Sequence, residues 1–159
     1  MVEEDFRCEI TLSDLRATEA LGARIAHRLR AGDAVALEGD LGAGKTALAR
    51  AILAALGVVE AVPSPTFTLV QHYETARLSV SHFDLYRIKN EIELDELGFD
   101  DALVNGAALI EWPERAPHRI PADALHVHLA AMGETGRSAT LSGPRRWDEL
   151  LAAEASHVG

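Results

Sequence analysis

Ala34-Val35-Ala36-Leu37-Glu38-Gly39-Asp40-Leu41-Gly42-Ala43-Gly44-Lys45-Thr46 runs from a short apolar stretch, through closely spaced glycines, to a lysine and a hydroxyl. Residues Gly39 to Thr46 match G-x-x-x-x-G-K-[ST] in full, with a buried strand before them and a helix, Lys45 to Leu56 with Gly57 at its C-cap, after them. The order follows from physics. Glycines let the backbone curl so that successive N–H groups, here of Leu41, Gly42, Ala43 and Gly44, point inward at phosphate oxygens. The helix adds the positive end of its dipole. Lys45 has the reach for the β- and γ-phosphates, and the Thr46 hydroxyl suits Mg²⁺. A chance match would leave Lys45 facing the positive end of a helix with nothing to neutralise either. A nucleotide polyphosphate is the reading that removes this conflict.

A magnesium nucleotide also needs an acid near the carboxyl edge of the sheet. Ala107-Ala108-Leu109-Ile110-Glu111 is an apolar strand ending in a carboxylate, the Walker B arrangement with Glu in place of Asp. Parallel strands deliver their C-terminal residues to the crevice that holds the phosphate loop. Glu111 can then hold Mg²⁺ directly or through water, or orient an attacking water; the bland alternative is a solvated strand end. Asp84, closing Leu78-Ser79-Val80-Ser81-His82-Phe83, is a second acid of the same kind. It can bind a metal-bound water, position a nucleophile, or form a structural ion pair with Arg87.

Outward from this centre, the pattern predicts a first strand over Phe6 to Thr11. A helix follows, capped by Ser13 or Asp14, with Leu15, Ala20, Leu21, Ile25, Ala26 and Leu29 on its apolar face. Thr66 to Tyr73 and Leu78 to Tyr86 are rich in aromatic and β-branched residues on either side of a polar turn, which predicts a hairpin. Short helices are expected at Glu91 to Leu97 and Asp101 to Val104. A second hairpin is expected from Leu125 to Ala130 and Ser138 to Leu141, then a final helix over Arg145 to Ala155. The sum is an α/β, P-loop NTPase-like three-layer fold, with a mostly parallel central sheet and antiparallel hairpin additions. Without repeats or a long linker, residues 1–159 read as a single domain.

Apolar residues make up 48% and charged residues 25%, which places the chain among globular rather than disordered proteins. The acidic start, Met1-Val2-Glu3-Glu4-Asp5, is unlike a secretory signal, and no apolar run is long enough to cross a bilayer. The lone Cys8 has no internal disulfide partner, so a cytoplasmic setting is expected. The formal net charge of -10 argues against a chain that grips nucleic acid alone, because phosphate neutralisation supplies most non-specific affinity. His126 and His128 share a strand face, but no cysteine or carboxylate stands at metal-site spacing in the sequence, and both read as structural.

Four motifs occur together: Gly39 to Thr46, Ser64-Pro65-Thr66-Phe67-Thr68-Leu69-Val70, His82-Phe83-Asp84-Leu85-Tyr86-Arg87 and Glu111-Trp112-Pro113-Glu114-Arg115. Their order and spacing resemble the TsaE (YjeE) family over roughly residues 10 to 142. The resemblance implies an ATPase that uses ATP and Mg²⁺. It implies work with TsaB and TsaD, which carry threonylcarbamoyl transfer to adenosine 37 of tRNA, so that tRNA is met only through the complex. It implies Lys45 on phosphate, Thr46 and Glu111 on metal, and Lys45, Asp84 and Glu111 as catalytic residues. It further implies Ser64 to Thr68 as a nucleotide-sensing loop in which Thr66 offers its hydroxyl, a functional Trp112, and Arg137 near the adenine. Residues alone leave Trp112 open between core packing, a partner surface and a lid. Arg87 and Arg115 are candidates to offset transition-state charge, although surface pairing is the commoner fate of an arginine. Ala47 departs from relatives that carry a second threonine, and no function is carried onto the segment after Gly143.

Two other classes share the phosphate loop. A small-molecule kinase would need an acceptor pocket and an arginine-rich lid, whereas only Arg87, Arg115 and Arg119 are scattered here. A GTP switch commonly uses Asn-Lys-x-Asp, and Lys89-Asn90 has the wrong order.

Overall fold

A computed structural model of the chain describes residues 5–40, 42–60, 62 and 69–148. Leu41 of the phosphate loop, the Ser64 to Thr68 segment with Thr66, and all but the first turn of the expected final helix lie outside the described residues.

One seven-stranded sheet carries the fold, in the order β1-β7-β6-β2-β5-β4-β3. Its strands are β1 (Asp5–Leu12), β2 (Ala34–Glu38), β3 (Val70–Glu74), β4 (Ser79–Asp84), β5 (Gly106–Glu111), β6 (Leu125–Met132) and β7 (Gly136–Pro144). The central strands β6, β2, β5 and β4 are parallel. Antiparallel β3 extends one edge, and antiparallel β7 and β1 extend the other. This is the mixed α/β sheet the apolar runs predicted: β2 and β5 are buried on both faces and carry no polar alternation until their final carboxylates.

Period-two alternation divides the strand residues between two cores. Val35 and Leu37 of β2, Val80 of β4, Ala107 and Leu109 of β5, and Leu125, Val127 and Leu129 of β6 face α1 (Leu15–Arg28) and α2 (Lys45–Ala55). Ala34, Phe83, Ala108 and Ile110 face the opposite layer, built from α3 (Glu93–Glu96), α4 (Phe99–Asn105) and the 3₁₀ turn Pro113–Arg115. Each fully buried aliphatic side chain stabilises by roughly 1.5–3 kcal/mol.

α1 starts at Asp14, whose Oδ1 accepts the Ala17 N–H at 3.0 Å. Its buried stripe is Thr18, Leu21, Gly22, Ile25 and Ala26, while Leu15 is 62% exposed and Ala20 is also outside the core. The expected face holds at Leu21, Ile25, Ala26 and Leu29 and shifts to Thr18 and Gly22 in place of Leu15 and Ala20. The reason is Gly22, where a Cβ would lie 2.5 Å from the Cβ of Ala51: α2 presses so closely that only glycine fits. β4 ends at Asp84 rather than Tyr86, because Asp84 Oδ1 accepts the Tyr86 N–H at 3.0 Å and turns the chain out of the ladder. Beyond Gly143, Trp147 is 1% exposed and belongs to the helical-side core, a packing role the unmarked sequence there did not suggest. No described helix is long and apolar enough to cross a membrane.

Candidate functional site

β2, β4 and β5 end at the same edge of the sheet, and the register pairs Asp84 directly with Glu111 and Leu37 with Glu111. Alternation sets His82, Asp84 and Glu111 on the face covered by α2. The loop after β2 passes over this edge and enters α2 at Gly44, whose φ of 106° is a left-handed cap that a side chain would strain. Gly39 is required more sharply: its φ is 137°, and a Cβ would stand 2.3 Å from the Leu129 carbonyl oxygen of β6.

The ends of these elements form a cleft of about 380 Å³ lined by Gly42, Gly44, Lys45, Thr46, Ala47, Asp84, Tyr86, Arg87, Glu111 and Trp112. Six side chains singled out in the sequence, Lys45, Thr46, Asp84, Arg87, Glu111 and Trp112, thus meet in one place. Lys45 is 5% exposed, and its Nζ donates to the carbonyl oxygens of Gly39 at 2.5 Å and Asp40 at 2.8 Å. Burial pushes the Lys45 ammonium below its ordinary value, opposed by the carboxylates of Glu111, Glu114, Asp84 and Asp40. Its direct acceptors are neutral carbonyl oxygens, so a phosphate oxygen that took their place would pair this partly desolvated cation with an anion.

Thr46 Oγ1 lies 3.0 Å from both carboxylate oxygens of Glu111, one residue on a helix N-terminus and the other 65 positions away at a strand end. Glu111 is 3% and Asp84 4% exposed. Trp112, immediately after Glu111, adopts φ 61° and ψ 49°, a left-handed backbone that costs a non-glycine residue on the order of 1–3 kcal/mol. Its indole is half-buried, 4.1 Å from Lys45 Nζ at the ring centroid and 4.7 Å from the Tyr86 ring. Arg115 stacks over the other ring of this pair, 5.3 Å from Tyr86.

Arg137 reaches the loop from β7. Its Nε donates to Ala43 O at 2.9 Å, Nη1 to Gly136 O at 2.8 Å and Nη2 to Gly42 O at 3.3 Å, which makes the guanidinium a brace behind the phosphate loop. Arg119 is engaged by Asp95 at 2.8 Å and Asp100 at 3.0 Å, away from the cleft.

The structure adds a residue to which the sequence assigned no role. His82 is fully buried, and its Nε2 lies 2.7 Å from Glu111 Oε2. The signal was its position two residues before Asp84, which puts both on one strand face. It also supplies the carboxylate that the sequence spacing did not show near His126 and His128. Glu38 Oε2 lies 2.6 Å from His126 Nδ1, and Glu38 Oε1 lies 3.7 Å from His128 Nδ1. That group is on the opposite face of the sheet. Among the described residues, no cluster of three or more His, Cys, Asp or Glu has the geometry to hold a metal ion.

A family model described as "Threonylcarbamoyl adenosine biosynthesis protein TsaE" matches residues 12–139. The chain belongs to the TsaE family. It is 39% identical to the tRNA threonylcarbamoyladenosine biosynthesis protein TsaE of Rickettsia felis over 129 residues, covering 80% of this chain and 75% of that one. It is 34% identical to the TsaE of Bacillus subtilis over 140 residues, 87% of each chain. The crystal structure of Bacillus subtilis YdiB superimposes with a TM-score of 0.80 at 26% identity, covering 99% of this chain and 100% of that one. The family match spans β2, the phosphate loop, both acidic strand ends and Arg137, so the whole cleft falls within the shared region.

Proposed function

We propose that this TsaE-family chain binds and hydrolyses ATP with Mg²⁺ in the cleft around Lys45. The cycle would serve threonylcarbamoyladenosine formation in tRNA, in the cytoplasm, alongside TsaB and TsaD. The observation that carries the chemistry is the Thr46–Glu111 contact at 3.0 Å beside the buried Lys45. The biosynthetic role rests on the family match and on the names of the relatives, and the partners rest on the family resemblance alone.

The donor set fits the metal. Mg²⁺ favours hard oxygen ligands and usually takes only one or two from protein, the rest coming from phosphate and water. A threonine hydroxyl and a glutamate carboxylate already in contact, with Asp84 across the next strand, meet that requirement without an all-protein cage. When bound, the ion would neutralise charge on phosphate oxygens and so make the phosphorus more open to attack.

The residues do the remainder. Backbone N–H groups of the loop, with the α2 N-terminus behind them, hold the polyphosphate. The Lys45 ammonium exchanges its two carbonyl acceptors for phosphate oxygens and offsets the charge that develops on them. Glu111 and Asp84, side by side at adjacent strand ends, orient water through carboxylate oxygens that accept its hydrogens. Trp112 and Tyr86 wall the cleft and limit water access. Arg137 acts through the backbone, keeping the loop in shape, while its route to the adenine remains part of the family-based proposal.

The test measures phosphate release from ATP and Mg²⁺ by wild type, Lys45→Ala, Asp84→Ala and Glu111→Ala, each with and without cognate TsaB and TsaD. Nucleotide binding by calorimetry and modified adenosine in tRNA are followed in parallel. The expected result is ATP binding by wild type, binding lost in Lys45→Ala, and binding kept but turnover lost in the acid variants. Partners should raise the wild-type rate. Folded wild-type protein that takes up no ATP would overturn the reading, and an unchanged rate in the assembled complex would overturn partner control.

A further inference from the structure

We propose that His82 is a positioning residue for nucleotide hydrolysis: its Nε2–H fixes the Glu111 carboxylate in the orientation that serves Mg²⁺. The inference rests on the nucleotide-hydrolysis reading of the cleft and names a residue that reading does not use.

The geometry begins with the strand. Val80, His82 and Asp84 alternate onto the α2 face of β4, and Ala107, Leu109 and Glu111 do so on β5. His82 is registered beside Leu109, one alternation deeper than Glu111, and reaches forward to it from inside the core. It is fully buried and does not line the cleft, whereas Glu111 does. Its contact with Glu111 therefore comes from behind.

The chemistry then settles which ring nitrogen carries hydrogen. A Glu111 carboxylate that holds Mg²⁺ has no hydrogen to donate, so the 2.7 Å contact then requires Nε2–H. Nδ1 is buried without a hydrogen-bond partner. An Nδ1–H tautomer would set a lone pair against a carboxylate and bury an unmatched donor as well. The pocket thus selects one tautomer while leaving the other nitrogen orphaned. An aliphatic residue would fill the space between Val80 and Asp84 with no orphan, so the Nε2–H bond is what the imidazole contributes there.

That bond constrains Glu111. Thr46 Oγ1 is equidistant, at 3.0 Å, from the two carboxylate oxygens and by itself does not choose between rotations of the group. The His82 bond anchors Oε2 and removes this freedom. Without it, Glu111 would still reach the cleft but would sample several orientations, and the ion would be held less tightly.

The experiment compares wild type with His82→Leu, which fills the space without a donor, and His82→Gln, which keeps an N–H of similar reach. ADP affinity is measured by calorimetry in EDTA and across a magnesium series, with ATP hydrolysis over the same series. The expected result for His82→Leu is unchanged ADP affinity in EDTA and about a 10- to 100-fold higher magnesium requirement in both assays. His82→Gln should recover most of that loss. Three results overturn the proposal: a magnesium requirement within about twofold of wild type in His82→Leu, a matching loss of affinity in EDTA, or a folded His82→Gln no better than His82→Leu. If His82→Leu does not fold, wild-type protein with ¹⁵N-labelled histidine decides. An Nε2–H signal that moves when Mg²⁺ is added to the ADP complex supports the role, and an unmoved signal overturns it. Wild type that binds no nucleotide would instead overturn the parent reading, with the His82 tautomer still visible.

Discussion

Two carboxylate–imidazole pairs stand at the same edge of the sheet, on opposite faces. Glu111 and His82 meet at 2.7 Å with side chains 3% and 0% exposed. Glu38 and His126 meet at 2.6 Å with side chains 31% and 39% exposed, and His128, 57% exposed, adds a looser contact. Bond length does not distinguish them. What differs is the strand alternation that carries each: Glu111 follows Ala107 and Leu109 onto the α2 face, where Lys45 and Thr46 are, while Glu38 follows Ala34 and Ala36 to the other side. The same pair of groups is a component of the proposed nucleotide site, desolvated, on one face and a water-screened surface pair on the other. Contact geometry alone therefore says little about role; burial and the neighbouring cation decide.

The largest expected effect breaks the symmetry outright. Glu111→Gln should retain nucleotide binding and lower phosphate release on the order of 10²–10³-fold, as loss of one preorganised group in an excluded-water site does. Glu38→Gln should leave release within about twofold, since a half-exposed pair contributes little. Equal losses in the two variants would show that face and burial are the wrong criterion. Stability comes next. His82→Ala should cost about 1–3 kcal/mol more than His126→Ala in urea unfolding, because it removes a buried hydrogen bond and opens a cavity at a fully buried position. The midpoints should separate at unchanged slope, which is the sign of altered stability rather than altered compactness.

How far the sequence carries this comparison depends on the range of each interaction. The phosphate loop, β2 and β5 were legible because their signals are local: consecutive glycines, lysine and hydroxyl, and unbroken apolar runs. Glu111 and Asp84 were legible as strand ends. The pairings were not, since His82 meets Glu111 across 29 positions, Glu38 meets His126 across 88 and Arg137 meets Ala43 across 94. Register between distant strands leaves no trace in the local pattern. Alternation along Val80, His82 and Asp84 did hold enough to put His82 beside the acids, although not to name its partner. On α1, counting apolar residues favoured Leu15 and Ala20 over Gly22 and Thr18. Helix contact distance, which hydrophobicity does not encode, decided otherwise.

Arg137 sharpens the comparison, because it is partly exposed like the Glu38 pair yet holds the phosphate loop. If exposure alone set importance, Arg137→Met would be near neutral. If attachment to the loop matters, nucleotide affinity should fall about tenfold, or about 1.4 kcal/mol, with the unfolding midpoint changed little. Calorimetric titration of ADP with Mg²⁺ into the variant separates these outcomes.

The smallest expected effect lies on the far face and concerns pH. The hydrogen bond from His126 holds Glu38 below the ordinary carboxylate value, against the desolvation that would raise it, with the charges of His126 and His128 adding to the lowering. A carboxyl whose folded value is depressed binds fewer protons in the native state than in the unfolded chain as pH falls toward its unfolded value. Its contribution is therefore present above the ordinary 4.5 and lost as pH falls from there through the lowered folded value. Glu38→Gln removes that contribution. Unfolding free energies of wild type and Glu38→Gln from urea titration should differ by about 0.2–1 kcal/mol at neutral pH, the scale of a partly exposed pair, and converge on acidification. A difference that persisted in acid would mean that Glu38 stabilises by packing instead. The far-face pair would then be no electrostatic counterpart of Glu111 and His82 at all.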